Sequence, residues 1–144
     1  MELRDTTADE LTLIADLESG DARRFIIPYA IERHRDEYLR KNVVYLSIYD
    51  KEEFTGFILL VLDPDGRSVE FRRIVVARPG KGYAAYAVAM VDSFCRDQLG
   101  RARIWLDVFE DNARARGLYE RNGYQEQSQT DYEGRTLILY EKTL

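Results

Sequence analysis

The stretch Val76–Ala89, "VARPGKGYAAYAVA", decides the fold. Before it, Phe71–Val76 is rich in β-branched and aromatic residues and reads as a strand. After it, apolar residues from Tyr83 to Phe94 recur at helical intervals. Between the two sit Gly80, Lys81 and Gly82. Glycine tolerates positive φ and lets a ligand approach the backbone closely. The first N–H groups of a helix have no internal acceptor, so an anion satisfies them. A strand that runs through glycines into a helix therefore predicts a held phosphate, and the rest of the chain must say whose.

Outward from this point the elements alternate in type. Glu2–Arg4 opens a short strand, and Thr7 stands three residues before Glu10 at capping-box spacing. Leu11, Ile14 and Leu17 follow at helical intervals. Pro28 fits the first turn of a second helix, with Ile31, Tyr38 and Leu39 as its buried stripe. "VVYLSIYD", "FTGFILLVLD" and "RSVEFRRIVVA" are strands, the last two joined by the turn Asp63–Gly66, where Pro64 presets φ and Gly66 tolerates φ > 0. A helix over Tyr83–Asp97 ends near Gly100, "RIWLDVF" is a strand, and "DNARARGLYERNG" is a helix capped by Asp111 or Asn112 and stopped by Gly123. The tail is a hairpin turning at Glu133-Gly134. The order β-α-α-β-β-β-α-β-α-β-β predicts an α+β fold: one domain over residues 1–144, a mostly antiparallel mixed sheet of six to seven strands, about four helices and one right-handed β-α-β crossover.

The totals exclude several classes. A chain of 144 residues has the size of one domain. A net charge of −5 without a basic block argues against nucleic-acid binding. One cysteine and one histidine leave no disulfide framework and predict no metal site. No apolar run reaches the roughly 20 residues that span a bilayer, so membrane insertion is not expected. The early acidic residues do not suit an export signal, and a cytoplasmic protein is expected. Cys95, among Val91, Phe94 and Leu99, reads as a buried structural thiol, and His34 as a surface or half-buried polar residue.

Two ligands fit the glycines. Gly80-x-Gly82-x-x-Ala85 matches a dinucleotide fingerprint, with Asp107 ending the next strand where a ribose-binding acid belongs. That fold needs several consecutive βα units, and only one is present. A P-loop is excluded because no Ser or Thr follows the Gly-Lys pair. The other reading, x-x-Gly82-x-Ala84, is an acyl-coenzyme A site. A second segment favours it: "NARARGLYERNGY", Asn112–Tyr124, puts Asn112 and Tyr119 two helical turns apart on one face, with the small Ala115 between them.

On these two segments the chain resembles the GCN5-related N-acetyltransferases, and in detail their ribosomal-protein-alanine and polyamine acetyltransferase branch. "RIVVARPGKGYAAYAV" resembles the coenzyme A motif Gln/Arg-x-x-Gly-x-Gly/Ala, and "NARARGLYERNGY" resembles Asn-x-x-Ala-x-x-Leu-Tyr-x-x-x-Gly-Phe/Tyr. Pro79 stands where the motif has Gln or Arg, with Arg78 one residue upstream, and Pro79 has no N–H to offer a pyrophosphate.

The resemblance implies the GNAT fold and acetyl transfer from acetyl-coenzyme A to a primary amine, a protein N-terminus or a polyamine among them, by direct attack in a ternary complex. It implies a monomer or homodimer whose other partner is the amine. A module that binds acyl-coenzyme A without turnover is the alternative. Gly80, Lys81, Gly82, Tyr83 and Ala84 would hold the pyrophosphate by backbone N–H groups. Ile74, Val75 and Val76 would bond the pantetheine arm through their main chain, with the Val75 or Val76 N–H polarising the thioester carbonyl. Tyr119 would protonate the leaving thiolate and touch the cofactor. Asn112 would bond the pantetheine or hold the loop, a role compatible with an N-cap. Glu70 lies where some members carry the general base; Asp107 and a water chain are alternatives. Strict alternation would put Glu70 on one face with Arg72, Ile74 and Val76, and it would also let Glu70 pair with Arg72. The acceptor pocket would form from the first two helices and the final hairpin, with Tyr29, Glu32 and Tyr132 as lining residues.

Overall fold

The structure is a computed structural model that describes residues 1–20 and 26–144. Among the described residues seven strands form one sheet: β1 Glu2–Asp5, β2 Val43–Asp50, β3 Glu53–Leu62, β4 Ser68–Val76, β5 Arg103–Phe109, β6 Gln125–Tyr132 and β7 Arg135–Thr143. Their spatial order is β1-β2-β3-β4-β5-β7-β6. Every neighbouring pair is antiparallel except β4 and β5, which run parallel and are joined by the helix that follows the glycines. The helices are α1 Leu11–Glu18, α2 Ile31–Tyr38, α3 Tyr83–Ser93 and α4 Ala113–Arg121. This is the predicted α+β architecture, and the turns fall as expected. Gly66 has φ 72° with its N–H on the Asp63 carbonyl, and the last hairpin turns at Glu133 (φ 49°) and Gly134 (φ 83°).

The sheet separates two packed layers. Against one face lie α3, the turn Phe94–Gln98 that continues it, and α4, whose Ala87, Val88, Val91, Cys95 and Tyr119 pack with Ile58, Leu60, Phe71, Ile104, Leu106 and Ile138 in the larger core. Each fully buried aliphatic or aromatic side chain of this kind stabilises the fold by about 1.5–3 kcal/mol. Against the other face lie α1 and α2, where Leu11, Ile14, Tyr29, Tyr45, Phe57, Leu59 and Val75 form a smaller cluster.

Several boundaries differ from the sequence reading. α2 begins at Ile31 behind an extended Ala30 (ψ 157°), so Pro28 lies outside the helix, not in its first turn. The intervening Tyr29 donates its N–H to Glu18 at 3.2 Å, which fixes this segment in a non-helical path. Ile31 and Tyr38 pack half-buried against the core as expected, but Leu39 is exposed, and the fully inward positions of α2 are His34 and Glu37. His34 is therefore fully buried and not a surface residue. α3 is regular only to Ser93 and continues as a π-turn over Phe94–Gln98 before Gly100 (φ 65°) ends it. At the start of α1, the Glu10 carboxylate accepts the Thr7 N–H at 2.8 Å, as the capping spacing predicted.

The irregularity that matters most for function is a bulge in β4. Leu60 pairs with Phe71 and Leu59 with Arg73, leaving Arg72 without a partner on β3. A one-residue bulge reverses the alternation beyond it. Val69 and Phe71 face α3 and α4, and after the bulge Ile74 and Val76 do so too, while Arg73 and Val75 face α1 and α2. Glu70 therefore does not share a face with Ile74 and Val76; it lies on the α1/α2 side, and the strict period of two fails at Arg72.

Candidate active site

β4 and β5 pair only through Ser68–Arg103, Val69–Ile104 and Glu70–Trp105. Both strands run on, β4 to Val76 and β5 to Phe109, but past Glu70 they part. The edge of β4 from Phe71 to Val76 that faces β5 thus has no strand across from it. Buried main-chain polar groups need partners, so this edge suits an extended ligand. Ile74, Val75 and Val76 lie along it, and the glycine loop stands at its end.

The loop is shaped by its glycines. Gly80 has φ 87°, and Gly82, the N-cap of α3, has φ 82°. A Cβ at either position would meet nothing within 4 Å, so it is the backbone angle and not crowding that calls for glycine. The helical ladder begins where the Tyr86 N–H reaches the Gly82 carbonyl at 3.0 Å. The N–H groups of Tyr83, Ala84 and Ala85 precede it and have no intrahelical acceptor. The Tyr83 side chain turns inward; its hydroxyl donates to Asp50 at 3.1 Å and accepts from Arg78 at 3.3 Å. Arg78 also forms an ion pair with Glu53. These contacts tie the loop to the β2–β3 turn and engage the one arginine next to Pro79. Lys81 is exposed.

Tyr119 approaches the parting strands from the α3/α4 face. Its ring packs edge-on against Phe71, 6.1 Å between centroids, and against Tyr124 at 5.6 Å. The residue is 7% exposed, and burial holds its phenol proton well above the ordinary tyrosine range. Asn112 caps α4, its side chain accepting the Ala115 N–H at 3.3 Å.

From the other face come the carboxylates. Glu70 is paired with Arg72, whose guanidinium donates at 2.7 Å and 3.2 Å. Asp107 lies two residues beyond Trp105 on β5, on the same face as Glu70 by alternation. Its pKa is raised by desolvation first and by the Glu70 charge second. A phenol on one side of the gap and two carboxylates on the other flank the unpaired edge of β4.

The acceptor residues read from the sequence are less gathered. Tyr29 is buried under the guanidinium of Arg73, 3.7 Å from its ring centroid. Glu32 is exposed on α2. Tyr132 packs on Phe109 at 6.0 Å, at the far hairpin. Sequence reasoning missed the buried Glu18–His34–Arg73 cluster beside Tyr29, because charged residues at helical spacing read as a solvated face. Cys95 is buried as expected, its thiol pushed up to about 12 by desolvation and by Asp92.

The fold agrees with that of other proteins of known structure. A comparison with curated proteins finds no match in sequence. Among solved structures, the spermidine N-acetyltransferase of Vibrio cholerae in complex with CoA and spermine is similar at a TM-score of 0.86 and 20% identity, covering 99% of this chain and 94% of that one. The N152L mutant of the same enzyme gives 0.86 and 20%, with 99% and 92% covered. A chimera of that enzyme and hSSAT gives 0.84 and 21%, with 99% and 96% covered. Likeness at such identity shows the fold. The model of the acetyltransferase (GNAT) family matches residues 11–124, a span that includes the glycine loop, Tyr119 and both carboxylates, and the chain belongs to that family of acetyl-CoA-dependent N-acetyltransferases.

Proposed function

We propose that the protein transfers the acetyl group of acetyl-coenzyme A to a primary amine, with a polyamine or a free peptide N-terminus as the acceptor class, by direct attack in a ternary complex. The observation that carries this reading is the parting of β4 and β5 after Glu70, with Tyr119 on one side of the gap and Glu70 and Asp107 on the other. The loop N–H groups of Gly80–Ala84 hold the pyrophosphate, and the helix dipole adds about 0.3–1 kcal/mol for the nearby anion. The pantetheine arm lies along Ile74–Val76, where a main-chain N–H of Val75 or Val76 faces the thioester oxygen and stabilises its developing charge. Asn112 keeps the start of α4 in place through its cap, and Tyr119 stands on the same helix.

An amine attacks only after losing a proton. Glu70 takes that proton, directly or through water, and its charge also attracts the ammonium form. Asp107 shares the task. Desolvation and the Glu70 charge raise its pKa above the usual aspartate value, which suits a proton acceptor, and Arg72 holds the Glu70 carboxylate in place. Attack forms the C–N bond, and collapse breaks the C–S bond. Tyr119 then gives its proton to the departing thiolate, and the second proton shed by the attacking nitrogen restores the phenol through water. Its raised pKa does not spoil this step, because the same desolvation raises the proton affinity of the thiolate.

Loss of such a general acid costs about 10²–10⁴-fold in rate. The test is thiol release from acetyl-coenzyme A with a panel of spermidine, spermine, free amino acids and peptides bearing free N-termini. Turnover with at least one amine supports the reading. Calorimetric binding of acetyl-coenzyme A with no turnover across the panel would favour a binding module instead.

A further inference from the structure

The face carrying α1 and α2 buries a charged cluster that the chemistry above does not use. Glu18, the last residue of α1, and His34, in the middle of α2, are both fully buried, and Arg73 is 9% exposed. The Glu18 carboxylate takes its donors from different segments. Its Oε1 accepts the Tyr29 N–H at 3.2 Å and hydrogen-bonds His34 Nε2 at 2.5 Å; its Oε2 accepts from Arg73 at 2.6 Å. On its far side His34 Nδ1 meets the Tyr45 hydroxyl at 2.7 Å. The Arg73 guanidinium stacks over Tyr29 at 3.7 Å, and Arg33 covers the same ring at 3.7 Å.

Such a cluster is a poor way to gain stability. Burying a charge costs several kcal/mol before its partners offset it, and well-packed apolar residues often serve as well or better. What ion pairs add is a single geometry, since each partner left alone would be a buried unpaired charge. Here the geometry they fix is specific. Arg73 is the first residue after the β4 bulge, and the bulged residue Arg72 holds Glu70. One carboxylate thus connects the end of α1, the lead into α2, α2 itself and β4 at the point where its alternation reverses.

We propose that Glu18 is a positioning residue for the amine side of the site: through Arg73 and Tyr29 it holds the β4 bulge, and with it Glu70, against α1 and α2. The inference rests on the reading that the Glu70 face receives the amine. The glycine loop and α3 lie on the other layer and should not sense the change.

The test uses the full chain carrying Glu18→Gln, with the best amine from the panel and with calorimetric titration of acetyl-coenzyme A. The expected result is a fall of tenfold or more in kcat/KM for the amine, with the acetyl-coenzyme A Kd within twofold of wild type. Equal losses for both ligands, or no loss for either beyond twofold, would overturn the proposal, whatever happens to Tm. If Glu18→Gln does not fold, Arg73→Lys carries the same test, because lysine keeps the charge but not the planar stack on Tyr29. A second measurement does not depend on turnover. Hydrogen exchange in Glu18→Gln should quicken at residues 27–31 and 70–73 and stay unchanged at 80–86; uniform quickening, or none at the first two segments, sinks the proposal even if wild type acetylates no amine. Absence of wild-type turnover would count against the proposed function alone.

Discussion

The two faces of the sheet solve the same problem by opposite means. On the α3/α4 face the buried residues are aliphatic, aromatic or Cys95, and the groups set aside for a ligand are backbone N–H donors at the loop. On the α1/α2 face a smaller apolar cluster is joined by buried Glu10, Glu18, His34 and Arg73, together with Thr6 and Ser47. There the Thr6 and Ser47 hydroxyls meet at 2.8 Å, and Ser47 donates to Glu10 at 3.2 Å. An apolar layer tolerates exchange of side chains of similar volume. A layer of buried ion pairs tolerates little, because each loss leaves a charge without its partner. The difference suits the proposed division, with the cofactor held through the backbone on one side and the amine met by side chains on the other.

Tyr119 is where this contrast is most exposed to failure, since it asks one residue of the apolar face to do chemistry. Tyr119→Phe should lower kcat by about 10²–10⁴-fold while leaving acetyl-coenzyme A binding within about twofold. Stability should hold to within about 1 kcal/mol, because the ring contacts with Phe71 and Tyr124 remain. Wild-type turnover in this variant, measured by thiol release across pH, would reduce α4 to scaffold.

Gly56 tests the strand between the two layers. A Cβ there would lie 2.5 Å from the Val75 carbonyl oxygen and 3.1 Å from the Val76 Cα, both backbone atoms that cannot swing aside. Gly56→Ala should therefore destabilise the fold by about 1–3 kcal/mol, as overpacking does. It should also weaken acetyl-coenzyme A binding, because the displaced strand is the one that carries Val75 and Val76. Chemical denaturation gives the first quantity and calorimetry the second. Unchanged affinity despite lost stability would move the cofactor off this edge.

The charged face should announce itself at low pH. Burial by itself pushes the Glu18 carboxyl up, but the His34 hydrogen bond and the Arg73 charge together outweigh it and hold the pKa below the usual glutamate value. A carboxylate with a lowered folded-state pKa adds stability above its unfolded value, roughly 4.3, and that stability is lost as pH falls toward the folded value. Wild type should thus lose part of its stability below about pH 4.3, and Glu18→Gln should show a flatter acid limb over the same window. Parallel acid limbs in urea melts would mean that the Glu18 pair carries no pH-dependent share.

The same contrast explains what was legible in the sequence. Periodicity finds apolar layers, and it found both the strands and the helices that cover the larger core. The loop and α4 were legible because φ > 0 demands glycine at Gly80 and Gly82, and because Asn112, Ala115 and Tyr119 share a helical face. The charged layer was not. Glu18 and His34 look like solvated helix residues until Arg73 is known to point at Glu18, and that depends on the bulge at Arg72, which no local pattern announces. The same bulge misplaced Glu70. The start of α2 differs for a related reason: Pro28 suits a first turn locally, but the Tyr29 N–H is held by Glu18 from another helix.

Arg78 offers the smallest effect and a clean discrimination. It is the one cation beside Pro79, and its guanidinium is shared between Glu53 and the Tyr83 hydroxyl with about half of its side chain exposed. An exposed ion pair contributes about 0–1 kcal/mol, so Arg78→Ala should barely move Tm. If the pyrophosphate is held by the N–H groups of Gly80–Ala84, acetyl-coenzyme A affinity should change by no more than about threefold, the weight of one solvated charge near an anion. The residual loss should shrink as salt is added, because screening acts on an exposed charge and not on a backbone hydrogen bond. A tenfold, salt-insensitive loss would instead make Arg78 the replacement for the side chain that Pro79 lacks, and the cofactor face would then rely on side-chain charge as the amine face does.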